Sequence, residues 1–464
     1  VNPATPPPKG RFPGCALALR LAEAPRRLLG RRFAREVLTL QVGSFATMGI
    51  QFVTSVVIAN LLGPHPLGVY YQARALLDLV NMLANLAVGQ ALITPLAAAH
   101  AQKNREESLR IIAYFLKMGL TVSLVTSAVG LLAGSYLGAV FLDDPQIGDL
   151  ARVLFVTPPL LTLFNMATLA FQSSRQVGRL TLLENGYLIS TSLLNVAVVM
   201  LGGGVNELLY SVAFATLLTA VASLWMYSRA LPKMPSFPTL LEIVKAAPGV
   251  PLRRYFAFSA LVSVDKNFAN LISLAPTILL GRWATAVDVA YYKVAANLTV
   301  TLLSVPMSPI SRNLYAKLAE VRVKAPWRIG RVLVQVTLGS LAISGGFAMG
   351  LMLAAPFIIQ IYKPAYLPAL AAMYALGVRC ALLGFGVGLG PLYQVLGRMK
   401  LAIASKIVPA LVMLGTGYLL IPPLGAVGAG WMVTLTYLSG DIISACLMWW
   451  ILKQNRAAVP SAEG

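Results

Sequence analysis

Charge is scarce in this chain. Only 11% of its 464 residues are Asp, Glu, Lys or Arg, against roughly 25% in an ordinary soluble domain, and the deficit excludes a conventional water-soluble globule. Acids are the scarcer sign, with 16 Asp and Glu facing 37 Lys and Arg for a formal net charge of +21. Three cysteines (Cys15, Cys380, Cys446) and two histidines (His65, His100) are too few and too scattered for a disulfide framework or a metal-ligand set. No Gly-Lys-Ser or Gly-Lys-Thr occurs, so there is no P-loop. No cofactor is expected, and the energy for uphill work has to come from an ion gradient, the membrane potential or removal of product. Residues 15–22 are apolar but are broken by Arg20 and followed by Glu23, too short and too charged for a secretory h-region.

What is abundant is apolar surface. Hydrophobic residues make up 58% of the chain and the mean hydropathy is +0.75, which requires many membrane spans rather than one anchor. Walking the chain in windows of about 20 residues predicts an all-α polytopic membrane protein with twelve spans: 37–62, 72–99, 109–141, 147–171, 180–201, 206–228, 255–281, 286–311, 329–361, 365–392, 400–421 and 425–452. Twenty-eight of the 37 basic residues fall in the N-terminal tail, the even-to-odd connections and the C-terminus. We call that side the basic face and the other, which carries Asp143-Asp144, the acidic face. The asymmetry predicts that the basic face and both termini are cytoplasmic. It also accounts for the net charge without nucleic acid, which is not an expected partner. Membrane lipids are, and Arg26, Arg27, Arg31, Arg32 and Arg35 are expected against anionic headgroups.

The expected organisation is a basic cytoplasmic tail (1–36), an N-terminal lobe of six spans (37–228), a cytoplasmic linker (229–254), a C-terminal lobe of six spans (255–453) and a cytoplasmic tail (454–464). Each lobe has an even number of spans and starts on the same face, so the lobes are expected to be parallel repeats about an axis along the membrane normal. Two echoes agree. Leu61-Leu62-Gly63 leading to Tyr70-Tyr71 recurs as Leu279-Leu280-Gly281 leading to Tyr291-Tyr292, and Gln172 before Gly178-Arg179 recurs as Gln394 before Gly397-Arg398.

Residues 61–70, Leu-Leu-Gly-Pro-His-Pro-Leu-Gly-Val-Tyr, resemble the first outer loop of the MOP (multidrug/oligosaccharidyl-lipid/polysaccharide) exporter superfamily. Residues 420–430, Leu-Ile-Pro-Pro-Leu-Gly-Ala-Val-Gly-Ala-Gly, resemble the start of a late helix in its polysaccharide branch. With the twelve spans, the resemblance covers about 37–453. It implies a V-shaped, MATE-like transporter with a cavity lined chiefly by spans 1, 2, 7 and 8. It further implies a Wzx-type flippase in the bacterial inner membrane that moves an undecaprenyl-pyrophosphate-linked oligosaccharide, such as an O-antigen, lipopolysaccharide or exopolysaccharide repeat unit. Glycosyltransferases and a polysaccharide polymerase would be its partners.

Ionisable groups inside a span cost about 2.5–3.5 kcal/mol each on insertion scales and need a wet cavity or a partner. Seven bases fall within spans: Arg74, Lys117, Arg152, Lys266, Lys293, Arg379 and Lys406. Lys117, Arg152 and Lys406 lie near span ends and are expected to snorkel. On span 2, Arg74, Asp78, Asn81 and Asn85 step by four, three and four residues onto one helical face. Span 7 repeats this with Lys266, Asn270, Ser273 and Thr277, span 8 offers Lys293 and Asn297, and span 1 offers Gln51. Converging, these stripes make a hydrated, net-positive chamber in which Arg and Lys offset a diphosphate and amides contact sugars. The structural alternative is that Arg74 and Asp78 pair at i,i+4 and that the stripes fasten helices together. Asp265 and Asp441 are the candidates for ion coupling, and Arg379 is read first as a structural pair member.

Two other functions compete. A cation-coupled multidrug exporter of the same superfamily predicts an acid-rich first lobe, whereas span 1 has no acid within it after Glu36. A membrane polymerase or ligase predicts a large catalytic loop on the acidic face, whereas every loop there is short. No catalytic residue is expected, and the chain reads as a transporter rather than an enzyme.

Overall fold

A computed structural model describes residues 31–84, 88–251, 253–301, 329–388 and 399–457, with isolated positions at 310, 314, 318, 321, 392 and 393. The described residues are helical, with no strand among them. In chain order the helices are α1 (Arg31–Leu62), α2 (Pro64–Ala84), α3 (Val88–Ala101), α4 (Arg105–Leu142), α5 (Pro145–Ala151), α6 (Thr157–Ser173), α7 (Val177–Met200) and α8 (Val205–Ala230). They continue as α9 (Leu240–Ala246), α10 (Arg253–Trp283), α11 (Ala286–Ala296), α12 (Ile329–Ile359), α13 (Ala369–Gly386), α14 (Met399–Ala404) and α15 (Ile407–Ala457).

Eight helices among the described residues are long and apolar enough to cross a membrane. The last of these assignments, α15, holds two spans, because Gly425 (φ 51°, ψ −126°) breaks the helix. Predicted spans 2, 7 and 8 are not among these eight; the described helices there are α2 and the shorter α3, α10, and the 11-residue α11 with the turn that follows it. They are the polar spans, and their polar faces reappear at the site described below.

Local chemistry sets the breaks. Between α1 and α2, Gly63 takes φ +83°, a conformation that costs other residues a Cβ clash. Asn104 caps α4 by accepting from the Glu107 amide, and Asp144 caps α5 by accepting from the Gln146 amide at 2.8 Å. Predicted span 4 is one helix; instead α5 passes through a 3-10 turn (Arg152–Val156) before α6 restarts at Thr157-Pro158-Pro159, because a proline lacks the N–H a continuous helix needs. Predicted span 8 likewise departs from one α-helix: α11 passes into a π-turn over Asn297–Thr301. Lys406, predicted inside span 11, sits in the turn between α14 and α15.

The Gly425 break explains the glycine-rich motif around it. A Cβ there would lie 2.3 Å from Asp288 Oδ1. That carboxylate also accepts from the Ala426 amide at 3.2 Å and caps α11 through Thr285. Gly428 lies against the Leu420 carbonyl and Gly430 against Ala375, so small residues let three helix backbones approach where lipid supplies no hydrophobic drive to associate.

The buried residues divide by depth. One cluster joins both lobes toward the acidic face, with Leu67, Leu76, Leu280, Val289, Tyr366 and Met432 among its members. A second, with Ile111, Tyr114, Phe171 and Tyr227, belongs to the first lobe toward the basic face and takes in Met234, Phe237, Ile243 and Val250 of the linker. The linker is therefore docked on the first lobe. Arg105 grips Glu242 with both carboxylate oxygens at 2.8 Å, Lys117 Nζ donates to the Pro248 and Val250 carbonyls, and Tyr227 OH donates to the Pro238 carbonyl.

Among the described residues, hydrogen bonds between lobes gather at the acidic face. Asn60 donates to the Ile361 carbonyl at 3.0 Å and accepts from the Lys363 amide at 2.8 Å, while Tyr366 OH donates to the Ala59 carbonyl at 2.9 Å. Arg282 reaches Asp143 at 2.9 Å and the Ala139 carbonyl at 3.0 Å. Beside them α2 crosses α11 so closely that a Cβ on Gly68 would lie 1.7 Å from the Ala286 carbonyl oxygen.

Candidate functional site

Where the lobes part, they enclose a cavity of 720 Å³. From the first lobe, α2 contributes Asp78 and Asn81, α4 contributes Ser123, and α6 contributes Thr162, Asn165, Thr168 and Gln172. From the second, α10 contributes Lys266, Asn267, Asn270 and Ser273, and α11 contributes Lys293. Gln172 lies one residue from the basic-face end of α6, so the cavity runs from mid-membrane toward that face.

Helix geometry explains which side chains arrive. Lys266, Asn270 and Ser273 repeat at four and three residues and so share one face of α10; all three are exposed. Asp78 and Asn81 do the same on α2. Arg74 does not line the cavity. A long helical side chain leans toward the N-terminus of its helix, and Arg74 Nη1 accordingly donates to Tyr70 OH at 3.1 Å, with its guanidinium 5.8 Å from the ring centre. Tyr70 OH also accepts from Asn195 Nδ2 at 3.4 Å, and Asn195 Oδ1 accepts from Ser211 Oγ at 2.5 Å. Arg74 thus stands behind the cavity wall, in a network tying α2 to α7 and α8. Asp78 remains within electrostatic reach of both Arg74 and Lys293, and Lys293 Nζ lies 5.8 Å from the Tyr71 ring centre.

The other sequence candidates fall elsewhere. Gln51 is half-buried on α1, which packs on α7, and no described side chain of α1 is among the lining residues. Asn297 opens the π-turn, with its amide bonded to the Lys293 and Val294 carbonyls, and is also absent from the lining. Asn85 and the side chain of Asp265 lie outside the described residues. Asp441 is 3.5 Å from Arg379, with side chains 13% and 9% exposed, and the Arg379 guanidinium lies 4.2 Å from the Tyr437 ring centre. That pair joins α13 to α15, away from the cavity. Among the described residues no group of three or more His, Cys, Asp or Glu could hold a metal ion.

Sequence reasoning missed the third wall. In place of span 1, the cavity is closed by α4 and α6, where Thr162, Asn165, Thr168 and Gln172 form a polar stripe. The signal was present as spacings of three, three and four residues, but a search that began from charge passed over an uncharged stripe.

Helices in two lobes around a central polar cavity are a fold also found in solved transporters of the MOP superfamily. The chain is similar to an inward-facing multidrug resistance MATE family transporter of that superfamily, at 14% identity over 91% of this chain and 100% of that one, with a TM-score of 0.72. An outward-facing MATE transporter gives 0.65, at 15% identity over 91% and 96% of the two chains. The lipid II flippase MurJ, in an inward closed conformation, gives 0.70, at 11% identity over 89% and 87%. No curated protein sequence matches. Residues 33–322 match the profile of the polysaccharide biosynthesis protein family, and the chain belongs to that family.

Proposed function

We propose that this protein flips an undecaprenyl-pyrophosphate-linked oligosaccharide, an O-antigen or exopolysaccharide repeat unit, across the bacterial inner membrane by alternating access. The basic face is then cytoplasmic and both termini lie inside. Glycosyltransferases would supply the substrate and a polymerase would consume it.

The observation that carries this reading is the pair of lysines, Lys266 and Lys293, in a polar cavity that runs toward the basic face. A diphosphate is the headgroup such cations suit, since charge-assisted hydrogen bonds are roughly twice as strong as neutral ones. Among the described lining residues a lipophilic cation, the usual cargo of a drug exporter, would meet two lysines against the one carboxylate of Asp78, so the exporter reading has less support.

The test is transport in proteoliposomes and surface polysaccharide in cells. Lys266→Ala and Lys293→Ala are expected to reduce flipping at least tenfold at unchanged protein level. Full transport by the double variant would overturn the assignment.

A further inference from the structure

The two walls of the cavity carry different chemistry. Both cations among its described lining residues, Lys266 and Lys293, stand on α10 and α11 of the second lobe, beside the amides of Asn267 and Asn270 and the hydroxyl of Ser273. The facing wall on α4 and α6 carries no charge: Ser123, Asn165, Thr168 and Gln172 present hydroxyls and amides. Neither amide is spent on the protein, because among the described residues the Asn165 and Gln172 side chains make no hydrogen bond and both are exposed. A polar stripe serving to fasten helices has its groups paired across the interface, as Asn195 and Ser211 are.

We propose that the α6 wall reads the glycan while the α10–α11 wall holds the diphosphate, so that one ligand bridges the two lobes. This rests on the flippase reading above. An amide offers two donors and an acceptor, and a sugar hydroxyl offers one donor and accepts in return; such a wall matches a glycan and gives a phosphate no charge to bind. An ammonium is a compact point charge that suits phosphate and says little about hydroxyl pattern. Asn165, Thr168 and Gln172 lie within eight residues, about 10 Å of helix, long enough for a short run of sugars to lie along it. Selectivity follows from geometry, since a site built to hydrogen-bond a hydroxyl rejects the analogue lacking it far more strongly than an apolar pocket rejects a methylene.

The test is binding by the full-length protein in nanodiscs to two probes, undecaprenyl pyrophosphate and the same lipid carrying an N-acetylhexosamine disaccharide. Wild type is expected to bind the sugar-bearing probe at least tenfold more tightly. The Asn165→Ala, Thr168→Ala, Gln172→Ala triple variant should lose that margin yet bind the sugar-free lipid within twofold of wild type. Lys266→Ala with Lys293→Ala should weaken both probes at least tenfold. Should the triple variant fail to fold by thermal unfolding, Gln172→Ala alone is read for a partial loss of the margin. A wild type with no margin, a variant that keeps it, or one that loses the sugar-free lipid as well overturns this inference and leaves the flippase reading standing. A wild type that binds neither probe overturns the flippase reading itself.

Discussion

What an intramembrane base does follows from the partner it finds. Arg74 leans back to Tyr70 and is absorbed by the first lobe, whereas Lys266 and Lys293 reach the cavity. Removing the Tyr70 hydroxyl strips an acceptor from Arg74 and Asn195 together. Tyr70→Phe is therefore expected to destabilise the protein by about 1–3 kcal/mol, the cost of an unsatisfied buried polar group, measured by thermal unfolding in detergent. Arg379 and Asp441 are the opposite case, two charges with each other and a tyrosine ring for company. Breaking a buried pair from one side costs about 3–5 kcal/mol, while replacing both members by apolar residues is often neutral. Asp441→Asn and Arg379→Met are thus each expected to lower stability, and Arg379→Met with Asp441→Leu to recover it. A stable Asp441→Asn protein that no longer transports would instead assign Asp441 to ion coupling. At this scale the sequence was legible where spacing and charge coincided, as at Asp78, Asn81, Lys266, Asn270 and Lys293. It was opaque for Arg74, whose rotamer depends on its neighbours, and for Asn165 and Gln172, which lack charge.

Elements were easier to read than their interruptions. Long apolar runs announce helices, and span 2, 7 or 8 could be predicted despite its polar face because the caps and breaks around it are local. The π-turn in span 8 carries no comparable local mark, whereas the 3-10 turn ahead of α6 is signalled by Pro158 and Pro159. The Gly425 motif was visible, but its purpose was not, because Asp288 lies 137 positions away in the chain. Gly425→Ala meets both a glycine-only backbone and that carboxylate, and the strain of roughly 1–3 kcal/mol should appear as a lowered unfolding temperature. The linker makes a prediction with acid. The Arg105 hydrogen bonds, followed by the Thr239 amide, hold the Glu242 carboxyl below the usual glutamate value. A group with a lowered folded-state pKa stabilises above its unfolded value and loses that contribution as the pH falls. Amide exchange protection across α9 should therefore decrease on acidification below about pH 4.3, and Glu242→Gln should reproduce the loss at neutral pH.

Among the described residues, contacts between the lobes gather at one end of the molecule. Contacts between α1 and the 361–366 segment, between α2 and α11, and between Arg282 and Asp143 close the acidic face, while the cavity runs the other way. Gly68→Leu would drive a wedge between α2 and α11. With the three native cysteines replaced by alanine and spin labels on Gln146→Cys and Lys363→Cys, both exposed, the wedge should shift the inter-label distance distribution to longer values. An unchanged distribution would show that the Gly68 contact does not govern closure. The span count and the repeat echoes made the two-lobed plan readable from sequence, but which end is shut depends on contacts between residues 139 to 307 positions apart.

That seal is built mainly from uncharged parts: a glycine against a carbonyl, an asparagine on two backbone groups and a tyrosine hydroxyl. Its ion pair, Arg282–Asp143, is solvent-exposed, and such pairs contribute about 0–1 kcal/mol. Parts of this kind have almost nothing for dissolved ions to screen. The rate at which the acidic face opens should therefore be nearly independent of ionic strength, a dependence that spin-label distance kinetics across a salt series would measure.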